Sequence, residues 1–323
     1  MKLMDKVCLT TFVYGERYIS YIPFLVYSCT KSYPDYDIKI FVYGEMSNDI
    51  NEQLGFIENK SNVEIIENAY SDFKSMTPLI SKTLRWLLWD DSFKSYDYLY
   101  TVDIDMLYMS EPIPLHEQHK EHMNTLSLPF SNIKREREFS FLKFYDLAKA
   151  YKELGISHTL RCFGKTSVEY KLTGLHFVKI DEYYSSENLK IINSALKDLK
   201  EGRFIDGVYF PNNEIFLFKL VEKMGCNMHQ VPIQQNAVDM LSPENPSRLE
   251  FRPHHGIHLG CLIDEKTLVA SESTFSSEVY HHYANTFQRT MLTDQTFRKL
   301  LNRAPDYIKG MFERLFRYYG IEY

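Results

Sequence analysis

Apolar and polar positions along this chain switch between the period of a strand and that of a helix. Residues 6–12 (KVCLTTF) and 38–43 (IKIFVY) are short runs rich in β-branched and aromatic side chains, which fit a pleated, buried surface. Between them, residues 18–30 are long enough for a helix, and residues 63–66 predict a third strand. Thr77-Pro78 reads as N-cap and first helical position of a helix running to about Trp89, with Ile80, Leu84, Leu87 and Leu88 on one face. Residues 98–102 (YLYTV) are short and apolar enough for a central strand. The β-α-β-α order predicts a Rossmann-like, doubly wound, mostly parallel sheet flanked by helices. Ligands on such sheets bind beyond the carboxyl ends of the strands, so chemistry is expected just after Phe12 and Val102.

The middle of the chain, about 111–165, is charged and irregular. Its run Lys134-Arg135-Glu136-Arg137-Glu138 reads as a solvated face or a substrate lid, followed by a helix over about 139–154 that Gly155 stops. Strand character returns at 175–180. Asn212-Asn213 then caps a helix over 214–224, with Ile215, Leu217, Phe218 and Val221 on its apolar face and Gly225 as its stop. The last forty residues look helical and separate. Two units are expected, 1–265 as the main domain and 266–323 as a mainly helical C-terminal extension. In that extension Ile308, Met311, Phe312, Leu315, Phe316 and Tyr319 form one apolar stripe, and residues 298–317 carry six basic side chains against two acidic ones. A basic amphipathic helix suits peripheral contact with a membrane surface; docking on the main domain, or on a second copy in a homodimer, is the alternative.

Composition narrows the classes. Lys and Arg total 37 against 43 Asp and Glu, a net charge of −6, which argues against a general nucleic-acid binder. The five cysteines are scattered without a CxxC pair, so neither a disulfide scaffold nor a structural zinc site is expected. No apolar run reaches membrane-spanning length, and Asp5-Lys6 interrupts the N-terminus where a signal peptide needs its apolar core. The expectation is a cytoplasmic, reduced protein.

The sharpest chemical feature is Asp103-Ile104-Asp105, directly after the strand YLYTV. Two residues apart in extended structure, both carboxylates face one way and could share a hard cation such as Mg²⁺ or Mn²⁺. His255 and His258 lie in a turn-rich segment; either they are hydrogen-bonded loop residues, or one is a further ligand, and a neutral imidazole suits Mn²⁺, which is favoured for that reason. Glu214, in the first turn of its helix beside Asn213, is either a helix-end charge or an acceptor-side carboxylate.

The stretch SKTLRWLLWDDSFKSYDYLYTVDIDMLY resembles the helix-loop-strand signature of GT-A nucleotide-sugar glycosyltransferases, nearest the family 8 (galactosyltransferase and glycogenin-like) type. TGLHFVKIDEYY is similar to that group's later strand and Asp-headed helix, and HHGIHLGCLIDEK is the nearest match to its histidine segment. The resemblance implies a GT-A catalytic domain and metal-dependent transfer of a sugar from a nucleotide-sugar, a UDP-sugar, to a hydroxyl of a glycan or glycolipid acceptor. It implies Asp103, Asp105 and one of His255 or His258 at the metal, with Glu214 and Asn213 at the acceptor or sugar side. Thr10, Thr11, Tyr14, Arg85, Asp103 and Lys266 would contact the nucleotide, Tyr14 by stacking on the base. Two other classes compete. A catalytically silent glycan- or partner-binding module would share the shape without the turnover. A sugar-phosphate nucleotidyltransferase would need a glycine-rich loop after the first strand, which TTFVYGERY does not supply.

Overall fold

The computed structural model describes residues 5–58, 60–203, 212–233, 256–262 and 278–321. The expected site residues His255 and Lys266, and the expected domain boundary at 265, lie outside them. The strands are β1 (Val7–Tyr14), β2 (Asp37–Tyr43), β3 (Val63–Ile66), β4 (Tyr98–Thr101), β5 (Met106–Leu107), β6 (Phe130–Ser131), β7 (Lys134–Ser140), β8 (Thr166–Leu172), β9 (His176–Lys179) and β10 (Ile257–His258). Among the described residues the central sheet has six strands in the order β3-β2-β1-β4-β9-β6. β1 to β4 run parallel, β9 runs antiparallel to β4, and β6 antiparallel to β9. The architecture is therefore mixed α/β, a mostly parallel sheet flanked by helices. β9 reverses for a topological reason. The chain re-enters the sheet at its carboxyl edge, where His176 pairs with Thr101, so it can only run back towards Tyr98.

β1 is central and buried over all but its last residue, which explains its unbroken apolar character. Thr77 caps the helix Pro78–Leu84 by accepting from the Ile80 amide at 3.2 Å, but the helix gives way at Arg85 to a 3₁₀ turn, Arg85–Leu87, short of the expected Trp89. Arg85, Trp86, Leu87 and Leu88 are all buried, which one face of an α-helix cannot provide. The charged run at 134–138 keeps Glu136 and Glu138 exposed, as a solvated face would, but its backbone is regular and not irregular as expected. It forms β7, paired antiparallel with β8 over all seven residues, with Arg137 opposite Glu169 and the Lys134 ammonium buried against the Met228 carbonyl at 2.9 Å. The helix expected to stop at Gly155 spans Phe144–Cys162 and bends there instead, because Gly155 adopts φ 78°, ψ 176°.

The C-terminal helices Glu278–Thr290, Gln295–Arg303 and Asp306–Tyr319 are not a separate appendage. Their apolar side chains join one core with the helix Ile22–Ser32. Phe312 sits 5.6 Å from Phe24 and 5.4 Å from Phe297, and Tyr21 Oη donates to Met311 Sδ at 3.4 Å. Of the stripe considered above as a membrane anchor, Ile308, Met311, Phe312, Leu315 and Phe316 are buried in that core and Tyr319 packs partly buried against it, so membrane contact through this stripe is not what the structure supports. No helix among the described residues is long and apolar enough to cross a membrane.

Candidate active site

At the carboxyl edge of the parallel strands lies a cleft of about 560 Å³. It is floored by the turns after β1 and β4 and walled by the helices Pro78–Leu84 and Asn213–Lys223 and by the β10 segment. Thr11, Tyr14, Arg85, Asp103, Asp105, Asn213, Glu214 and His258 all line it. These residues are scattered over nearly 250 positions of sequence, and the fold brings them to one place.

β4 ends at Thr101, so Asp103 and Asp105 stand on a turn and not on an extended strand, and each meets its own cation. Asp103 Oδ1 accepts from the Arg85 guanidinium, which is itself stacked over Trp86 with Cζ 4.1 Å from the ring centre. Asp105 lies 3.2 Å from His258 Nε2. Burial disfavours charge on both members of that pair, but the mutual attraction prevails: the carboxylate holds the imidazole pKa well above its ordinary value, aided by Cys261, whose Sγ is 3.5 Å from His258 Nδ1. The imidazolium, with Arg85 behind it, holds the Asp105 carboxyl below the usual range.

Tertiary pairing positions His258. β10 adds antiparallel to β5, with His258 opposite Met106, and the Leu259 amide donates to the Asp105 carbonyl at 2.8 Å. Gly256, at φ 109°, lets the chain enter this ribbon; a Cβ there would strike the Leu107 carbonyl. Two further glycines leave room for the acids. A Cβ on Gly174 would stand 2.7 Å from Asp103 Oδ2, and one on Gly260 would collide with Asp105 Oδ2.

On the opposite wall the Asn212 side chain, not Asn213 or Glu214, caps the helix Asn213–Lys223 by accepting from the amides of Glu214 and Ile215 at 2.7 and 3.1 Å. Glu214 is thereby left to pair through its carboxylate with Lys171 of β8 at 2.6 Å. Lys171 was not singled out in the sequence; the alternating charges of β8 were the available signal. Arg17 and Lys82, also missed, bring two more cations to the cleft.

Thr10 departs from the expected nucleotide contact. Successive residues of a strand face opposite ways, so Thr10 and Thr11 cannot line the same cleft. Thr10 is fully buried and its hydroxyl donates to the Lys39 carbonyl at 2.9 Å. Thr11 lines the cleft from the other face, its hydroxyl donating to Val102 at 2.8 Å.

Asp103, Asp105 and His258 bring two carboxylates and an imidazole, donor types that divalent cations accept, to the same cleft. Their ligand atoms do not close to within 4.8 Å of one another; among the described residues only Asp5, His116 and Glu117 do so. That second group borders a larger cavity, about 790 Å³, at the opposite edge of the sheet. Lys120 already neutralises it, bonding both Asp5 and Glu117.

No protein-family model matches the chain, and no curated protein matches it. Among solved structures it is similar to the mannosyltransferase Ktr4p from S. cerevisiae, with 10% identity, a TM-score of 0.40, and coverage of 66% of this chain and 65% of that one. It is similar to the galactosyltransferase LgtC in complex with donor and acceptor sugar analogues, with 12% identity, a TM-score of 0.40, and coverage of 91% and 99%. It is also similar to core-mannan synthase A from Aspergillus fumigatus in its Mn/GDP form, with 10% identity, a TM-score of 0.37, and coverage of 67% and 70%.

Proposed function

We propose that this chain is a metal-dependent glycosyltransferase that moves a sugar from a nucleotide-sugar donor, a UDP-sugar, to a hydroxyl of a glycan or glycolipid acceptor. The observation that carries the reading is the meeting of Asp103, Asp105, His258 and Arg85 with Glu214 across one cleft at the carboxyl edge of the sheet. Asp105 and Asp103 would hold a divalent ion, Mn²⁺ by the nature of the donors, with His258 joining them once its imidazole gives up the proton it shares with Asp105, and the ion's charge would neutralise the leaving diphosphate. The protein's own cations serve the same end. Arg17 and Lys82 line the cleft, Arg17 over the Tyr307 ring and Lys82 over the Tyr18 ring, and both are suited to diphosphate oxygens. Arg85 holds the Asp103 carboxylate in place. Tyr14, half-buried at the end of β1, offers its ring to the base. Glu214, oriented by Lys171, faces the acceptor side together with Asn213, where a carboxylate orients a hydroxyl or stabilises positive charge developing on the sugar.

Titration calorimetry with UDP, with and without Mn²⁺, followed by a screen of nucleotide-sugars for Mn²⁺-dependent hydrolysis, tests this reading. UDP binding that strengthens with Mn²⁺, together with turnover of one donor, is expected. Metal-dependent binding without turnover of any donor points to the silent module, and absence of metal-dependent nucleotide binding overturns the proposal.

A further inference from the structure

Residues 141–165 form an outlying lobe that exposes more large apolar side chains than the other described segments do. The lobe is inserted between β7 and β8, and its base is closed by the Phe141 amide donating to the Lys165 carbonyl at 2.9 Å. It consists of the helix Phe144–Cys162 folded at Gly155. Phe141, Ala150 and Cys162 anchor it inward. Outward it shows large apolar side chains in unusual density: Leu142 is 67% exposed, Phe144 86%, Tyr145 69%, Ile156 63%, Leu160 68% and Phe163 64%. Scattered single apolar residues on a surface need no explanation, but among the described residues most of the strongly exposed large apolar side chains fall in this one stretch of 25 residues.

Charge indicates what covers them. Residues 141–165 carry five Lys and Arg against two acids, a local +3 in a chain of −6. Of the two acids, Asp146 is buried, with its carboxylate accepting from the Ser140 amide at 2.9 Å. Lys143 and Lys152 are exposed among the apolar side chains. A second copy docking through the same lobe would set +3 against +3 across a desolvated contact, which like charges oppose. An anionic lipid surface satisfies both features: aromatic and aliphatic side chains enter the headgroup boundary while lysines meet the negative charge.

We infer that the 141–165 lobe docks on anionic lipid bilayers. The docking element is distinct from the C-terminal stripe, which is core, and the inference stands whether or not the cleft transfers sugar. β8 runs from this lobe to Lys171 and hence to Glu214, a seven-residue strand of roughly 20 Å, so docking would hold the acceptor side of the cleft within reach of the lipid surface.

Co-sedimentation of the full chain with phosphatidylcholine vesicles, with and without phosphatidylglycerol, tests this. Binding to the anionic vesicles that weakens as salt rises is expected. Phe144→Ser combined with Phe163→Ser should weaken partitioning about tenfold or more. Lys143→Glu with Lys152→Glu should weaken it and flatten the salt dependence, whereas Lys299→Glu in the C-terminal helices should leave it unchanged. These side chains are exposed, so thermal melting of the variants should match the parent. Failure of the parent to bind anionic vesicles at low salt overturns the inference, as does binding that the lobe variants leave intact. A sedimentation coefficient that falls in the lobe variants without vesicles overturns it in favour of a second copy.

Discussion

Gly174→Ala isolates the geometry of the Asp103 carboxylate. The backbone at this position is one that alanine adopts, so the substitution adds a methyl group and nothing else. That methyl carbon would lie 2.7 Å from Asp103 Oδ2 and 3.3 Å from Arg85 Nη2. To restore ordinary contact the carboxylate must retreat by roughly 0.7 Å, and it is backed by the Arg85 guanidinium, which is buried against Trp86 and has little room to follow. Overpacking of this kind costs about 1–3 kcal/mol of stability, and a displacement near 1 Å at a reacting centre costs up to about a hundredfold in rate. The expected phenotype is a drop of about ten- to a hundredfold in kcat/KM for the donor that the hydrolysis screen identifies, with a melting temperature lowered by only a few degrees. Calorimetry with Mn²⁺ and UDP supplies a readout independent of turnover, and affinity should fall with kcat/KM. Gly260→Ala, whose methyl group collides with Asp105 Oδ2, should be the more severe of the two. If Gly174→Ala binds Mn²⁺ and UDP and turns over like the parent, the Asp103 carboxylate is not held where the reaction needs it, and this account of the site fails.

Glu214→Gln removes the charge but leaves the Asn212 cap intact, so a loss of turnover of about tenfold or more with an unchanged melting temperature is expected; a stability loss with normal turnover would assign Glu214 to the fold. Phe312→Ala strips a ring that meets Phe24, Phe287, Phe297 and Phe316, and should cost about 3–5 kcal/mol in a single urea transition; a separate early transition of the C-terminal helices would refute the shared core. His122 and His176 are buried, and desolvation lowers their pKa values to about 4 and about 3, below the unfolded value near 6.5. The unfolded chain therefore binds their protons first. Neither residue affects stability above about pH 6.5, and each reduces it by about 1.4 kcal/mol per pH unit as pH falls from there towards its folded pKa. Urea midpoints between pH 7 and pH 5 should show this decline, and His176→Asn should make it shallower; an unchanged slope would show that His176 is charged when folded.

Local patterning carried much of the architecture. Buried strands need largely apolar runs, so β1, β2 and β4 were legible to within two residues at either end, and the half-buried β3 was legible in full from its β-branched residues. Caps are equally local: Thr77 and Asn212 accept amide protons only two or three residues away. The aspartates after YLYTV marked the edge where a parallel sheet gathers ligands. What no local pattern contains is which surface meets which. Only the fold set β10 against β5 and so delivered His258 to Asp105 across some 150 residues. Only the fold paired Lys171 with Glu214, and turned Thr10 inward while Thr11 faced the cleft. The same limit governs the amphipathic segments. An apolar stripe states that something must cover it, not what does. In the C-terminal helix the stripe meets Phe24 and its neighbours and becomes core, whereas the mixed sequence of 141–165, without a comparable stripe, is left presenting Phe144 and Phe163 outward. Periodicity is a property of one segment and burial a property of two, which is why tertiary structure alone could separate them.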